Sequence, residues 1–240
     1  MRSLFPIISL LCFFLLACGV SPHYSDSTPI QHDLWGSLVR KHVSPEGKVN
    51  YKGFKKDSYL LDQYLSLISQ SHPNEKNWSE TERLAYWINA YNAFTIKIMI
   101  DHYPVKSIKD IRKGIPFINS TWDVKFIEIE GQTYDLNNIE HGILRKQFSE
   151  PRIHFAIVCA SASCPILRRE AFTSEKLEKQ LEEQSFDFIN DTTKNLITSE
   201  SKAQLSKIFS WFSGDFKIEG ASVIDYVNRY SSTKLDPDAK

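Results

Sequence analysis

Hydrophobic positions recur at helical spacing through most of the chain. Leu34, Trp35, Leu38 and Val39 predict a helix over residues 31–43. Leu60, Leu61, Tyr64, Leu65 and Ile68 predict a second, stopped by His72-Pro73-Asn74. Between them, Ser44-Pro45-Glu46-Gly47 reads as a turn into a short extended Lys48–Tyr51. Ser79-Glu80-Thr81-Glu82 is a capping box that opens the longest predicted helix, residues 80–102. From Leu84 to Phe94 that helix is apolar nearly all round, the pattern of a helix buried on most sides. Asn89 and Asn92 interrupt the pattern, and their spacing of three puts them on one face. An unpartnered carboxamide in a core costs about 1–3 kcal/mol. The pair therefore implies polar partners, either loop backbone that it braces or a substrate or catalytic group.

Tyr103-Pro104 ends the helix; Ser107–Ile111 reads as one more turn and residues 113–119 as a loop. Alternation over Trp122–Ile129 predicts a strand, turned by Glu130-Gly131 into a short partner at Gln132–Tyr134. A helix starting near Asn137 carries Leu136, Ile139, Ile143 and Leu144 on its apolar side. Its neighbours Glu140 and His141 diverge by roughly 100°, so one of them can face inward. Arg152–Val158 reads as a buried central strand ending in two cysteines and a proline, Cys159 to Pro165. A helix over 175–190, a short strand at 196–198, an apolar cluster from Leu205 to Phe212 and a last helix through Val223–Tyr230 follow. The pattern predicts a single α+β domain over residues 30–232, mostly helical around a small sheet, with a polar tail at 233–240.

The N-terminus reads differently. After Met1-Arg2, Leu4–Leu16 is almost wholly apolar, the length of a secretory h-region and too short to span a bilayer comfortably. Leu15-Leu16-Ala17-Cys18-Gly19 resembles the bacterial lipobox. Residues 1–17 are thus expected to be a lipoprotein signal peptide and Cys18 the lipidated residue; the plainer alternative is a secretory signal with an incidental cysteine. Gly19, where aspartate would favour inner-membrane retention, points to the outer membrane, facing the periplasm. Residues 18–29, rich in serine and proline, are expected to be a flexible tether.

Lys plus Arg equals Asp plus Glu, 29 against 29, and no long basic stripe appears, so nucleic acid is not an expected partner. The expected partners are the membrane, through the lipid at Cys18, and a small-molecule, peptide or protein ligand. With Cys12 in the signal and Cys18 acylated, Cys159 and Cys164 are the remaining cysteines of the chain's four. In a disulfide-permissive compartment they are open to four readings: a disulfide or redox pair, a catalytic thiol, inert buried thiols, or metal ligands. Cys-x₄-Cys lacks the paired spacing of a zinc site, and neither metal nor cofactor is expected. In the catalytic reading Cys164 is the nucleophile and His141 the base. Asn89 or Asn92 is then orienter or oxyanion donor, and Glu140 or Asp215 the supporting acid. His154, ten residues before Cys164 and about 30 Å away on a fully extended chain, is placed with Cys159, Ser161 and Ser163 among binding residues. His23, His32, His42, His72 and His102 read as surface or helix-end residues.

Three blocks, Tyr86-Trp87-Ile88-Asn89-Ala90-Tyr91-Asn92-Ala93, Ile139-Glu140-His141-Gly142-Ile143-Leu144-Arg145 and His154-Phe155-Ala156 through Ser163-Cys164-Pro165, resemble the domain-of-unknown-function 547 family. Gly47–Tyr51 and Ile208–Phe212 ahead of Asp215-Phe216 add to the likeness, which spans about residues 47–216. The resemblance implies bacterial secreted proteins and lipoproteins but names no reaction. The Cys, His and Asn content suggests a cysteine-dependent hydrolase or acyltransferase on a papain- or transglutaminase-like plan. The chain order, asparagines before histidine before cysteine, departs from the cysteine-first order of those enzymes. The alternative is a non-catalytic periplasmic binding or assembly lipoprotein with a structural Cys159–Cys164 disulfide.

Overall fold

Helix α4 (Glu80–Asp101) is the axis on which the other elements pack. Its first turn is closed by the expected capping box: the Ser79 amide donates to Glu82 Oε2 (2.7 Å) and the Glu82 amide to Ser79 Oγ (3.3 Å). The computed structural model describes residues 26–111, 120–160, 164–217 and 220–239. Signal peptide, Cys18, the loop expected at 113–119, and Ser161 and Ser163 lie outside these residues.

Helices α2 (Tyr51–Lys56) and α3 (Ser58–Ser69) pack on α4, and α1 (Asp33–His42) packs on both of them, through Trp35, Phe54, Leu61 and Tyr64. Strands β1 (Ile127–Ile129) and β2 (Gln132–Tyr134) pair antiparallel, with Glu130 and Gly131 both at positive φ (46° and 74°), the twist a two-residue hairpin turn needs. A π-helical segment, Asn138–Leu144, runs into α5 (Arg145–Gln147) and packs on α4. Next come α6 (Ile153–Ala156), α7 (Leu177–Asn190), the hairpin β3 (Leu196–Ser199) and β4 (Lys202–Gln204), α8 (Ile208–Trp211), α9 (Ser213–Phe216) and α10 (Val223–Tyr230). Phe155, Phe188, Phe209, Phe216 and Tyr226 pack into a second core joining α6, α7, α8, α9 and α10. The described residues form one mostly helical domain with two small two-stranded sheets. Among the described residues no helix is long and apolar enough to cross a membrane.

Several expectations are corrected. The predicted central strand is instead the short helix α6 followed by an extended Ile157. Pro151 opens the helical turn, its carbonyl accepting from the His154 amide (3.2 Å). A short run buried on all sides has no periodicity that separates strand from helix. Of the strand expected from Trp122, only Ile127–Ile129 pairs; Thr121–Asp123 is a 3₁₀ turn closed by Asp123 on Ser120. His32 and His42 do sit at the two ends of α1, and His102 caps the end of α4, but His32, His42 and His72 are buried, on Tyr64, Asp57 and the Pro73 carbonyl respectively. The end of the expected tether is docked: the Ser27 carbonyl accepts from Asn74, Asn77 and the Trp78 indole (3.0–3.1 Å). The polar tail is packed too, through buried Leu235.

Asn89 and Asn92 brace backbone. Asn89 donates to the Phe172 carbonyl (2.7 Å) and accepts from the Phe172 amide (3.0 Å). Asn92 donates to the Ala156 carbonyl and accepts from the Val158 amide, both at 2.9 Å. Each carboxamide thus supplies what a neighbouring strand would supply. Asn92→Ala leaves a donor and an acceptor buried and unpaired. We expect a loss of about 2–4 kcal/mol in urea unfolding; Asn92→Asp, which cannot donate to Ala156, should also destabilise. A change below about 0.5 kcal/mol for the alanine variant would contradict this role.

Candidate functional site

The residues that face one another across the second half of α4 come from four separate parts of the chain. The π-helical turn points Glu140 inward, where it is 9% exposed, and leaves His141 exposed. π-Helical segments are rare and occur frequently at functional sites. Glu140 Oε2 accepts from the Tyr91 hydroxyl of α4 (3.1 Å), and burial pushes its carboxyl pKa up. On the next turn, Arg145 Nη1 lies 3.1 Å from His141 Nδ1. A guanidinium only donates, so Nδ1 is the acceptor and the His141 proton sits on Nε2.

Arg145 also reaches Asp215 of α9 in a two-pronged pair, Nε to Oδ2 at 2.6 Å and Nη2 to Oδ1 at 2.9 Å. His154 Nε2 stands 2.7 Å from the same Oδ2. Hydrogen bonds, first from Arg145 and then from His154, hold the Asp215 carboxyl below its usual range. His154 is buried, and that burial outweighs Asp215 and lowers its pKa from 6.5 to about 4. Near neutral pH it is an uncharged imidazole that donates through Nε2 and keeps the Nδ1 lone pair. Phe212 stacks on its ring at 4.0 Å, with the Arg145 guanidinium over Phe212 at 4.9 Å.

A cavity of about 500 Å³ opens against this cluster. Glu140, His141 and His154 line it on one side; Ile108, Trp122, Ile157, Ile208 and Phe212 form an apolar wall; Lys106 and Lys109 are exposed at its rim. Cys159 and Cys164 also line it, joined as a disulfide across a separation of 5 residues. The oxidised chain therefore presents no thiol there. Ala160, inside the disulfide loop, has φ of 52°, a left-handed conformation that costs a non-glycine residue about 1–2 kcal/mol.

Of the residues singled out in the sequence, Glu140, His141, His154, Cys159 and Cys164 meet at this cavity, with Asp215 behind His154. Asn89 and Asn92 are not among the lining residues; both are engaged with backbone. Arg145, Tyr91 and Phe212 were not singled out as site residues. The signal for Arg145 was its place four residues after His141 on one helical face; nothing local marked the other two. Among the described residues no group of three His, Cys, Asp or Glu is placed to hold a metal ion.

Residues 75–189 match the family model described as "Protein of unknown function, DUF547". The chain thus carries a DUF547 domain over that span, from the loop before α4 to the end of α7. No curated protein and no solved structure matches the chain.

The buried imidazoles set a pH dependence. His154 and His32, both lowered from 6.5 to about 4 by burial, bind protons in the unfolded chain before the folded one. Stability rises with pH wherever the unfolded state holds more protons. Their contribution is therefore complete above pH 6.5 and is lost progressively as pH falls to about 4. Glu140, raised by burial, acts in the opposite sense as pH rises above the ordinary carboxylate range. Urea midpoints should fall between pH 7 and pH 4.5, and His154→Gln should flatten that slope; an unchanged slope would overturn the assignment.

Proposed function

We propose that this is a ligand-binding domain of the cell envelope, whose cavity takes a small anionic molecule with an apolar body. The reading rests on the cavity wall: apolar and aromatic side chains on one side, exposed lysines at the rim and, among the described residues, a single lining acid, Glu140, whose burial favours its neutral form. With Cys159 and Cys164 joined, the disulfide serves as a structural part of that wall. The protein as made is a lipoprotein in this proposal: residues 1–17 are removed and Cys18 is acylated. The domain is then held at the outer membrane, on the periplasmic side. The last residues of the linker dock on the loop before α4, through Ser27.

A second reading is favoured by one placement, that of Cys164 on the same cavity as His141 and His154. In the reduced protein Cys164 would be the nucleophile of a hydrolase or acyltransferase, with an imidazole as base. A papain- or transglutaminase-like plan belongs to this reading.

One experiment separates the two. The oxidised domain is titrated with 1-anilinonaphthalene-8-sulfonate, an anionic aromatic dye, and the native fold is monitored by circular dichroism. Binding should be saturable at one dye per chain and weakened about tenfold by Lys106→Glu, a loss of about 1.4 kcal/mol. Unsaturable binding, or none, would sink the pocket reading. If p-nitrophenyl acetate is hydrolysed only after reduction, and Cys164→Ser abolishes this, the thiol reading replaces it.

The anchor is tested apart from the pocket. Bacteria expressing the full chain should incorporate labelled palmitate into it, and Cys18→Ala should remove the label and release the protein into the soluble periplasmic fraction. A label that survives the substitution would refute lipidation at Cys18.

A further inference from the structure

Helix α8 carries Trp211 to the surface with 67% of its area exposed, more than any other large hydrophobic side chain of the described residues. Ile208, three residues earlier and on the same face, lines the cavity described above together with Trp211. Both also line a second cavity, of about 420 Å³, on the other side. Cys164 completes the shared wall. The two cavities are therefore neighbouring halves of one groove, and an exposed indole stands on the ridge between them.

The second half differs in chemistry from the first. Its lining is rich in hydroxyl and amide side chains, Thr192, Thr193, Gln204 and Ser206, with Lys207 exposed beside them. Among the described residues four lysines, Lys106, Lys109, Lys194 and Lys207, line the two halves, against one acid, Glu140. Lys194 is held by Asp191 (3.6 Å). The chain as a whole has no net charge, so this excess is local to the groove.

We propose that the groove binds an acidic oligosaccharide, with one sugar ring stacked on Trp211, its carboxylates facing the lysines and its hydroxyls bonded in the Thr/Gln/Ser-lined half. A sugar ring offers an apolar C–H face to an exposed indole and polar groups around its edge, which is the alternation this groove presents. A small molecule confined to the first cavity would leave the hydroxyl-lined half without a role. This inference rests on the reading of the first cavity as a ligand pocket and extends it to the length and class of ligand.

The test follows tryptophan fluorescence of the oxidised domain. Trp35, Trp78 and Trp87 are buried, so changes report chiefly on the groove. The probes are galacturonic acid, tetragalacturonate, neutral maltotetraose, tetraglutamate and a thymidine tetranucleotide. Tetragalacturonate should bind at least about tenfold more tightly than each of the others, and added salt should weaken it. Trp211→Ala should reduce its affinity about tenfold, and Lys207→Ala, which alters the second half alone, severalfold while the anionic dye still binds the first cavity. Equal or tighter binding of the peptide or the nucleotide would overturn the sugar assignment. So would affinity that does not rise with oligomer length, or that is indifferent to Trp211. If the dye binds and tetragalacturonate does not, this inference fails and the pocket reading stands; if neither binds, the pocket reading fails as well.

Discussion

A buried backbone amide or carbonyl must find a hydrogen-bond partner, and this fold has little sheet with which to provide one. Asn89 and Asn92 meet that constraint. Each turns both ends of its carboxamide to loop backbone, at Phe172 and at Ala156 and Val158. The segment after α6, which carries Cys159 and one wall of the cavity, is thereby fixed to α4. So is the approach to α7. The cavity keeps its shape because helix side chains hold the extended backbone in place of strands.

Asp215 does the corresponding work for side chains. One carboxylate receives the Arg145 fork and the His154 imidazole, tying α5, α6 and α9 together around Phe212. The cluster sorts its charges by exposure. The partly exposed Arg145–Asp215 pair remains ionised, whereas buried His154 is driven to the neutral form and Glu140 is pushed the same way. The result is a low-charge interior facing an apolar cavity, with lysines displaced to the rim. That division suits a ligand with a body to bury and a negative group to leave near the surface.

Local signals determined a large part of this protein. The helical periods of α1, α3, α4, α7 and α10, the first hairpin and the α4 capping box are set by neighbours in sequence, through side-chain spacing and turn chemistry, and were legible there; of the second hairpin only the first strand was. Residue type and spacing also located Glu140, His141, His154, Cys159 and Cys164 as candidates. Tertiary structure decided what local spacing does not encode. Arg152–Val158 is apolar whether strand or helix, and the absence of a neighbouring strand, with Asn92 in its place, settled it. Tyr64 at His32, Asp57 at His42 and Tyr134 at His72 come from 15 to 62 positions away, so the burial of these histidines could not be read from their surroundings in sequence. Asp215 is 61 residues from His154 and 70 from Arg145. Only the packing of the second aromatic core brings that carboxylate to both, and with it the groove that Trp211 divides.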